Sequence, residues 1–210
     1  MDKRQIDRFF QIVNQNVKNA VKGRIYIILT GAAAAILMGG NRPSIGIDFG
    51  ISCNKKYLKL VEGAIKKASD IIGVAVNFSE DIDRWSQITF LDYKKHTITY
   101  KTFGAIKALI LSPAYWSIGK ITRYIDPDVD DLVKVLKNNP VSALILAKLW
   151  GKALFKGPRS TASLTFRMHA EHFLKTYGQH IWGKTFDETK CLHAFWKAAS
   201  FYARALRAYE

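Results

Sequence analysis

Apolar positions change their period along this chain, and each change marks an element. Ile6, Phe9, Phe10, Ile12, Val13 and Val17 recur at three- and four-residue spacing, which predicts an amphipathic helix over 2–22, ended by Gly23. The run IYIILT at 25–30 is short, β-branched and free of polar alternation, the mark of a buried strand. GAAAAILMGG then switches to strong helix formers and closes on Gly39 and Gly40, so a short helix is expected. IGIDFGI at 45–51 alternates and reads as a second strand. Leu58, Val61, Ile65 and Ala68 line one face of a helix over 55–72.

From Gly73 the period falls to two. Segments 73–79, 87–93, 96–103 and 105–111 read as strands, with bends at SEDIDRW and YKKH. After Ser112 the pattern is helical throughout. Ser112–Pro113 and Asp126–Pro127 are helix starts, with Ser or Asp as cap and Pro at the first helical position. Asn139–Pro140 is a break, and three more helices are expected near 141–155, 161–178 and 186–208. The fold class is α/β: a mixed β-sheet core flanked by helices over 1–137, then a basic C-terminal helical bundle over 138–210.

Composition adds a partner class to this outline. Hydrophobic residues make up 49% and charged residues 23%, enough to bury a core. Lys and Arg number 32 against 17 Asp and Glu, for a net charge of +15. Residues 133–210 carry 13 Lys/Arg and 4 Asp/Glu, so +9 of that excess sits in the last third. Such a surface attracts polyanions, nucleic acid or anionic lipid; a plain solubility role uses the same charge. Cys53 and Cys191 fit no metal spacing and read as thiols of a reducing compartment. The longest apolar run, Ile25 to Gly40, has 16 residues, short of the roughly 20 a membrane span needs. MDKRQIDRFF holds no signal-peptide core. The expectation is a soluble cytoplasmic protein.

Two segments carry candidate chemistry. In the first, Gly31 sits at a strand-to-helix junction and Asp48 on the next strand. A glycine there lets backbone N–H groups approach a phosphate, and the carboxylate is placed to hold Mg²⁺ against it. A buried corner of small residues explains the same pattern without any ligand. In the second, Lys120 and Arg123 share a helix face, and Asp126, Asp128, Asp130 and Asp131 follow. The cations are candidate phosphate clamps, while the carboxylates also suit a helix N-terminus.

LTGAAAAILMGGNRPSIGIDF and LSPAYWSIGKITRYIDPDVDDLVKVL together resemble the nucleotidyltransferase superfamily, in its AbiEii-like, toxin–antitoxin branch. The resemblance covers about 24–137. It implies a nucleotidyltransferase-like core and Mg²⁺-dependent transfer of a nucleotide from an NTP to an RNA (a tRNA among them) or a protein acceptor, with a cognate antitoxin as a further partner. It assigns Gly31, Ala32, Arg42, Ser44, Lys120 and Arg123 to the nucleotide, and Asp48, Lys120 and Asp131 to catalysis, with Asp48 as metal ligand. The sequence departs from the family pattern at Ala32, which replaces a second Gly or Ser, and at Gly46, which replaces the first Asp of Asp-x-Asp. For the third carboxylate the candidates are Asn77, by position, then Glu80 and Asp92. A catalytically silent protein that binds nucleotide or RNA, or an interaction module on the same scaffold, is the alternative reading.

In the C-terminal part Lys152, Lys156, Arg159 and Arg167 are candidate nucleic-acid contacts, with Trp150, Phe155 and Tyr177 read mainly as core. His169 and His172 stand at helical metal spacing, and His193 lies near Cys191; packing beside Met168 and Phe173 is the simpler reading. Arg167, Glu171 and Lys175 form an i, i+4 series.

Overall fold

The computed structural model describes residues 1–79 and 86–206. It is a mixed α/β protein whose chain clusters into two compact units, Met1–Ile82 with Lys94–Ser112, and Asp83–Tyr93 with Pro113–Glu210. The second unit thus takes the described residues 86–93 together with all the helices after Ser112.

The first unit begins with α1 (Lys3–Val17). Asp2 accepts from the Gln5 amide and Gln5 reciprocates on the Asp2 N–H, both at 2.9 Å, so two of the orphan donors of the first turn are satisfied. Strands β1 (Ile25–Leu29), β2 (Gly46–Ser52), β3 (Ala75–Ser79), β4 (Thr97–Phe103) and β5 (Ile106–Leu111) form one sheet in the order β3-β2-β1-β5-β4. β1 runs antiparallel to β2 and parallel to β5, and β2 runs parallel to β3. Helices α2 (Gly31–Leu37) and α3 (Leu58–Ile72) make the connections on either side of β2.

Alternation decides which face is covered. Ile25, Ile27 and Leu29 of β1, Ile47 and Phe49 of β2, and Ile106 and Ala108 of β5 have no exposed surface. The apolar stripe of α1 lies over them, with Phe9 6.1 Å from the Phe49 ring and Phe10 5.5 Å from Phe103. α3 lies beside α1 and buries Val61 and Ile65. Each such side chain contributes about 1.5–3 kcal/mol of burial. On β4 a register shift between Thr99 and Lys101 turns two sequence neighbours to one carboxylate: Tyr100 donates to Asp7 at 2.6 Å and Lys101 at 2.9 Å.

The second unit is helical in its described residues: α4 (Pro113–Arg123), α5 (Asp126–Asn138), α6 (Ala143–Lys156), α7 (Thr161–Trp182) and α8 (Glu188–Leu206). The strand expected over 87–93 is absent. Gln87–Phe90 is instead a 3-10 turn, in which Ser86 accepts from the Ile88 amide and the Gln87 side chain donates to Ser163; side-chain bonds give this backbone an alternative to a ladder. The cap expected at Asp126 is also displaced, since α5 already includes Asp126 and begins from Ile125. α6 is pinned by Trp150, which is fully buried, donates to Ser117 at 2.9 Å and meets Phe173 edge-on. Gly151 lets α8 approach so closely that any Cβ there would strike the Phe195 carbonyl oxygen.

No helix of the described residues is long and apolar enough to cross a membrane.

Candidate functional site

In the first unit, the antiparallel β1–β2 pair brings Gly31 and Asp48 together although they are far apart in the chain. The Thr30 N–H donates to the Asp48 carbonyl at 2.9 Å, which places the end of β1 beside Asp48 and starts α2 there. Gly31 adopts φ +59, and a Cβ on it would lie 2.5 Å from Asp48 Oδ2. Glycine is thus required twice over, by the left-handed backbone and by the carboxylate lying against it. A carboxylate at this helix start is favoured by the dipole, and it repels a phosphate unless a cation stands between them.

β3 supplies the neighbour. Asn77 is directly in register with Asp48 across the parallel pair, so both lie on the same face of the sheet. This is the first of the candidate positions that the resemblance implies for a third acidic group, and it carries an amide. Glu80 lies outside the described residues. Asp92 falls in the 3-10 region of the second unit, where its charge adds to burial in raising the pKa of Tyr115; it is no part of the sheet.

Gly46, two residues before Asp48, faces the same side. A Cβ there would stand 2.9 Å from the Ala75 backbone oxygen, so the strand pairing itself leaves no room for a carboxylate side chain without a backbone shift. Ser44 is buried and spends its hydroxyl locally, donating to the Gly46 carbonyl at 2.6 Å and accepting from the Gly46 N–H. It shapes the entry to β2. Arg42 is half-buried in the preceding loop and Ala32 half-buried in the first turn of α2.

The donor set here is one carboxylate and one amide oxygen. Mg²⁺ is commonly bound by one or two carboxylates plus substrate phosphates and water, so the residues fit a single ion carried in with a phosphate ligand. They do not fit a two-metal centre. No group of three or more His, Cys, Asp or Glu able to hold a metal occurs among the described residues.

The second segment belongs to the other unit, and its geometry gives it a structural role. Lys120 is 4% exposed and donates to Asp131 at 2.7 Å and Asp128 at 2.9 Å. Asp128 has no exposed surface and also takes a two-pronged bond from Arg123, at 2.6 Å on each arm. Burial by itself would raise the Asp128 pKa; the hydrogen bonds from Arg123 and then Lys120 outweigh it and hold the carboxyl below the ordinary range. Lys120 and Arg123 do share a face, as their spacing predicts, but that face meets carboxylates. The Lys120 charge is neutralised inside the α4–α5 corner, as is that of Asp131.

At that corner Tyr124 has φ +54, the one non-glycine residue in the left-handed region among those described. Its ring stacks on His169 with centroids 4.7 Å apart, and its hydroxyl meets His172 Nδ1 at 2.8 Å. His169 Nδ1 meets the Ile121 carbonyl at 2.9 Å. The two histidines thus tie α7 to the corner. The sequence pairs them with each other and misses Tyr124, whose conformation leaves no compositional trace.

Of the candidate nucleic-acid contacts, Lys152, Lys156 and Arg159 are exposed. Arg167 is half-buried, lies over the Trp196 ring at 5.3 Å and sits 3.9 Å from Glu171. Its environment is a packed contact between α7 and α8.

Comparison with known proteins adds no relative: no family model matches the sequence, and no curated protein or solved structure shows significant similarity to it.

Proposed function

We propose that the protein is a catalytically silent nucleotidyltransferase-like protein, which binds a nucleotide with Mg²⁺ at the Gly31–Asp48 turn and uses its basic helices to hold RNA. The observation that carries this reading is the fit of Gly46 against the Ala75 carbonyl. It leaves Asp48 as the single carboxylate, beside Asn77, on the face where a transferase of this kind uses several. Losing one metal-bridging carboxylate removes several kcal/mol of transition-state stabilisation, on the order of other preorganised electrostatic contacts.

Titration calorimetry with Mg²⁺ and each NTP, run in parallel with label transfer from NTPs to total RNA, tests it. Binding that Asp48→Ala abolishes, without transfer, is the expected result. Robust transfer that depends on Asp48 overturns the silent reading in favour of an active enzyme acting on RNA, a tRNA or a protein, with toxicity and a cognate antitoxin to be sought. That second reading draws on the register of Asp48 with Asn77 and on the close approach of Gly31.

A further inference from the structure

We propose that α6 presents a three-lysine ladder, Lys148, Lys152 and Lys156, that tracks the phosphodiester backbone of a nucleic-acid strand. The proposal rests on the RNA-binding half of the reading above and is independent of the nucleotide turn.

The three lysines stand at i, i+4 and i+8 of one helix, and all are exposed. Each step of four residues advances about 6 Å along the axis and turns about 40°, so the three lysines form a row that winds around one side of the helix, with steps like those between neighbouring phosphates of one strand. Two features make this row more than a solvated helix face. The sequence of α6, ALILAKLWGKALFK, contains no acidic residue. None of the three lysines has a carboxylate partner among the described residues, so no neighbouring side chain competes with an incoming anion for the row. Arg159, just past the helix end, is exposed as well.

The row cannot turn away from solvent. The opposite side of α6 is fixed by buried Leu146, Ala147 and Trp150 and by the close approach of Gly151 to α8. The same fact argues against a membrane as partner. A helix that binds lipid inserts a broad apolar face, and that of α6 is spent on the core, leaving Ile145 as its large exposed apolar residue. Arg167 leaves the nucleic-acid set on this account and Lys148 enters it.

The test is fluorescence anisotropy of the full chain with a labelled single-stranded oligouridylate and a labelled RNA hairpin across a salt series, for wild type and for Lys148→Gln/Lys152→Gln/Lys156→Gln. With about 0.7 counterions released per single-strand phosphate contact, three lost contacts reduce the slope of log K against log[salt] by about 2 and the affinity near 0.1 M salt by about 100-fold. A control triple, Lys55→Gln/Lys59→Gln/Lys66→Gln, removes three equally exposed lysines from the first unit and tests for a bulk-charge effect. Equal loss in both triples, an unchanged slope in the α6 triple, or no RNA binding by the wild type would overturn the proposal. So would α6-dependent co-sedimentation with phosphatidylserine vesicles, run in parallel, in a chain that binds neither oligonucleotide. Circular dichroism confirms that both triples fold. Loss of NTP binding in Asp48→Ala with RNA binding intact leaves the ladder standing, and a wild type that binds NTP through Asp48 but binds no RNA overturns the ladder and leaves the nucleotide turn standing.

Discussion

Replacing Lys120 by methionine separates a structural lysine from a phosphate-binding one. Met keeps the apolar stem and removes the ammonium that Asp131 accepts at 2.7 Å and Asp128 at 2.9 Å. Asp128 retains its two bonds from Arg123, but Asp131 is only 3% exposed and loses its buried cation. Breaking one side of a buried pair costs about 3–5 kcal/mol, and the rescue of Asp128 by Arg123 places this case at the lower end, about 3 kcal/mol. Urea unfolding followed by tryptophan fluorescence reads it, since Trp116 and Trp150 are both buried in this unit.

The pH dependence has a definite sign. In the wild type the depressed Asp128 pKa contributes stability that is complete above the unfolded value of about 3.9 and is lost as pH falls through the folded value. In the variant Asp128 keeps the lowering from Arg123 and loses the part from Lys120, so the deficit relative to wild type is largest near neutrality and shrinks as pH falls through the folded Asp128 value. Asp131→Asn in the same background restores part of the loss, and the double mutant is less than additive. A Lys120→Met chain within about 1 kcal/mol of wild type, with NTP affinity selectively lost, would refute the structural assignment.

Three further substitutions probe the other particulars. Gly31→Ala places a Cβ 2.5 Å from Asp48 Oδ2 at a φ of +59; it should destabilise the fold by about 1–2 kcal/mol through the backbone alone and weaken Mg–NTP binding, read by urea titration and calorimetry. Gly46→Asp installs the carboxylate of the proposed nucleotidyltransferase pattern, yet its Cβ meets the Ala75 oxygen at 2.9 Å; a loss of about 1–3 kcal/mol without gain of label transfer is expected. Tyr124→Phe keeps the stack on His169 and deletes the bond to His172, for a loss of about 0.5–1.5 kcal/mol in thermal unfolding.

The sheet was largely legible because its signal is local. Buried strands such as IYIIL and alternating ones such as GIDFGIS declare their period within a few residues, whereas the parallel register that sets Asn77 beside Asp48 depends on which strands pair and is seen only in the fold. The segment 87–93 misleads because Ile88 and Phe90 mimic a strand, while the bond that fixes it as a turn comes from Ser163, 76 residues on. Lys120 misleads for a related reason. Its partners lie 8 and 11 residues away across the left-handed Tyr124, and that reversal, absent from any helical pattern, folds the acidic group back onto the cations. The glycine at position 46 is plain in the sequence; the neighbouring strand's carbonyl that a Cβ there would meet is not.

The most direct measurement of the central claim is calorimetric titration of the full chain with Mg²⁺ and NTPs, comparing wild type with Asp48→Ala. Heat of binding that requires both the metal and Asp48, with no nucleotide covalently transferred to RNA or protein in the same preparation, is the predicted result. Absence of binding by the wild type, or Asp48-dependent transfer, would contradict it.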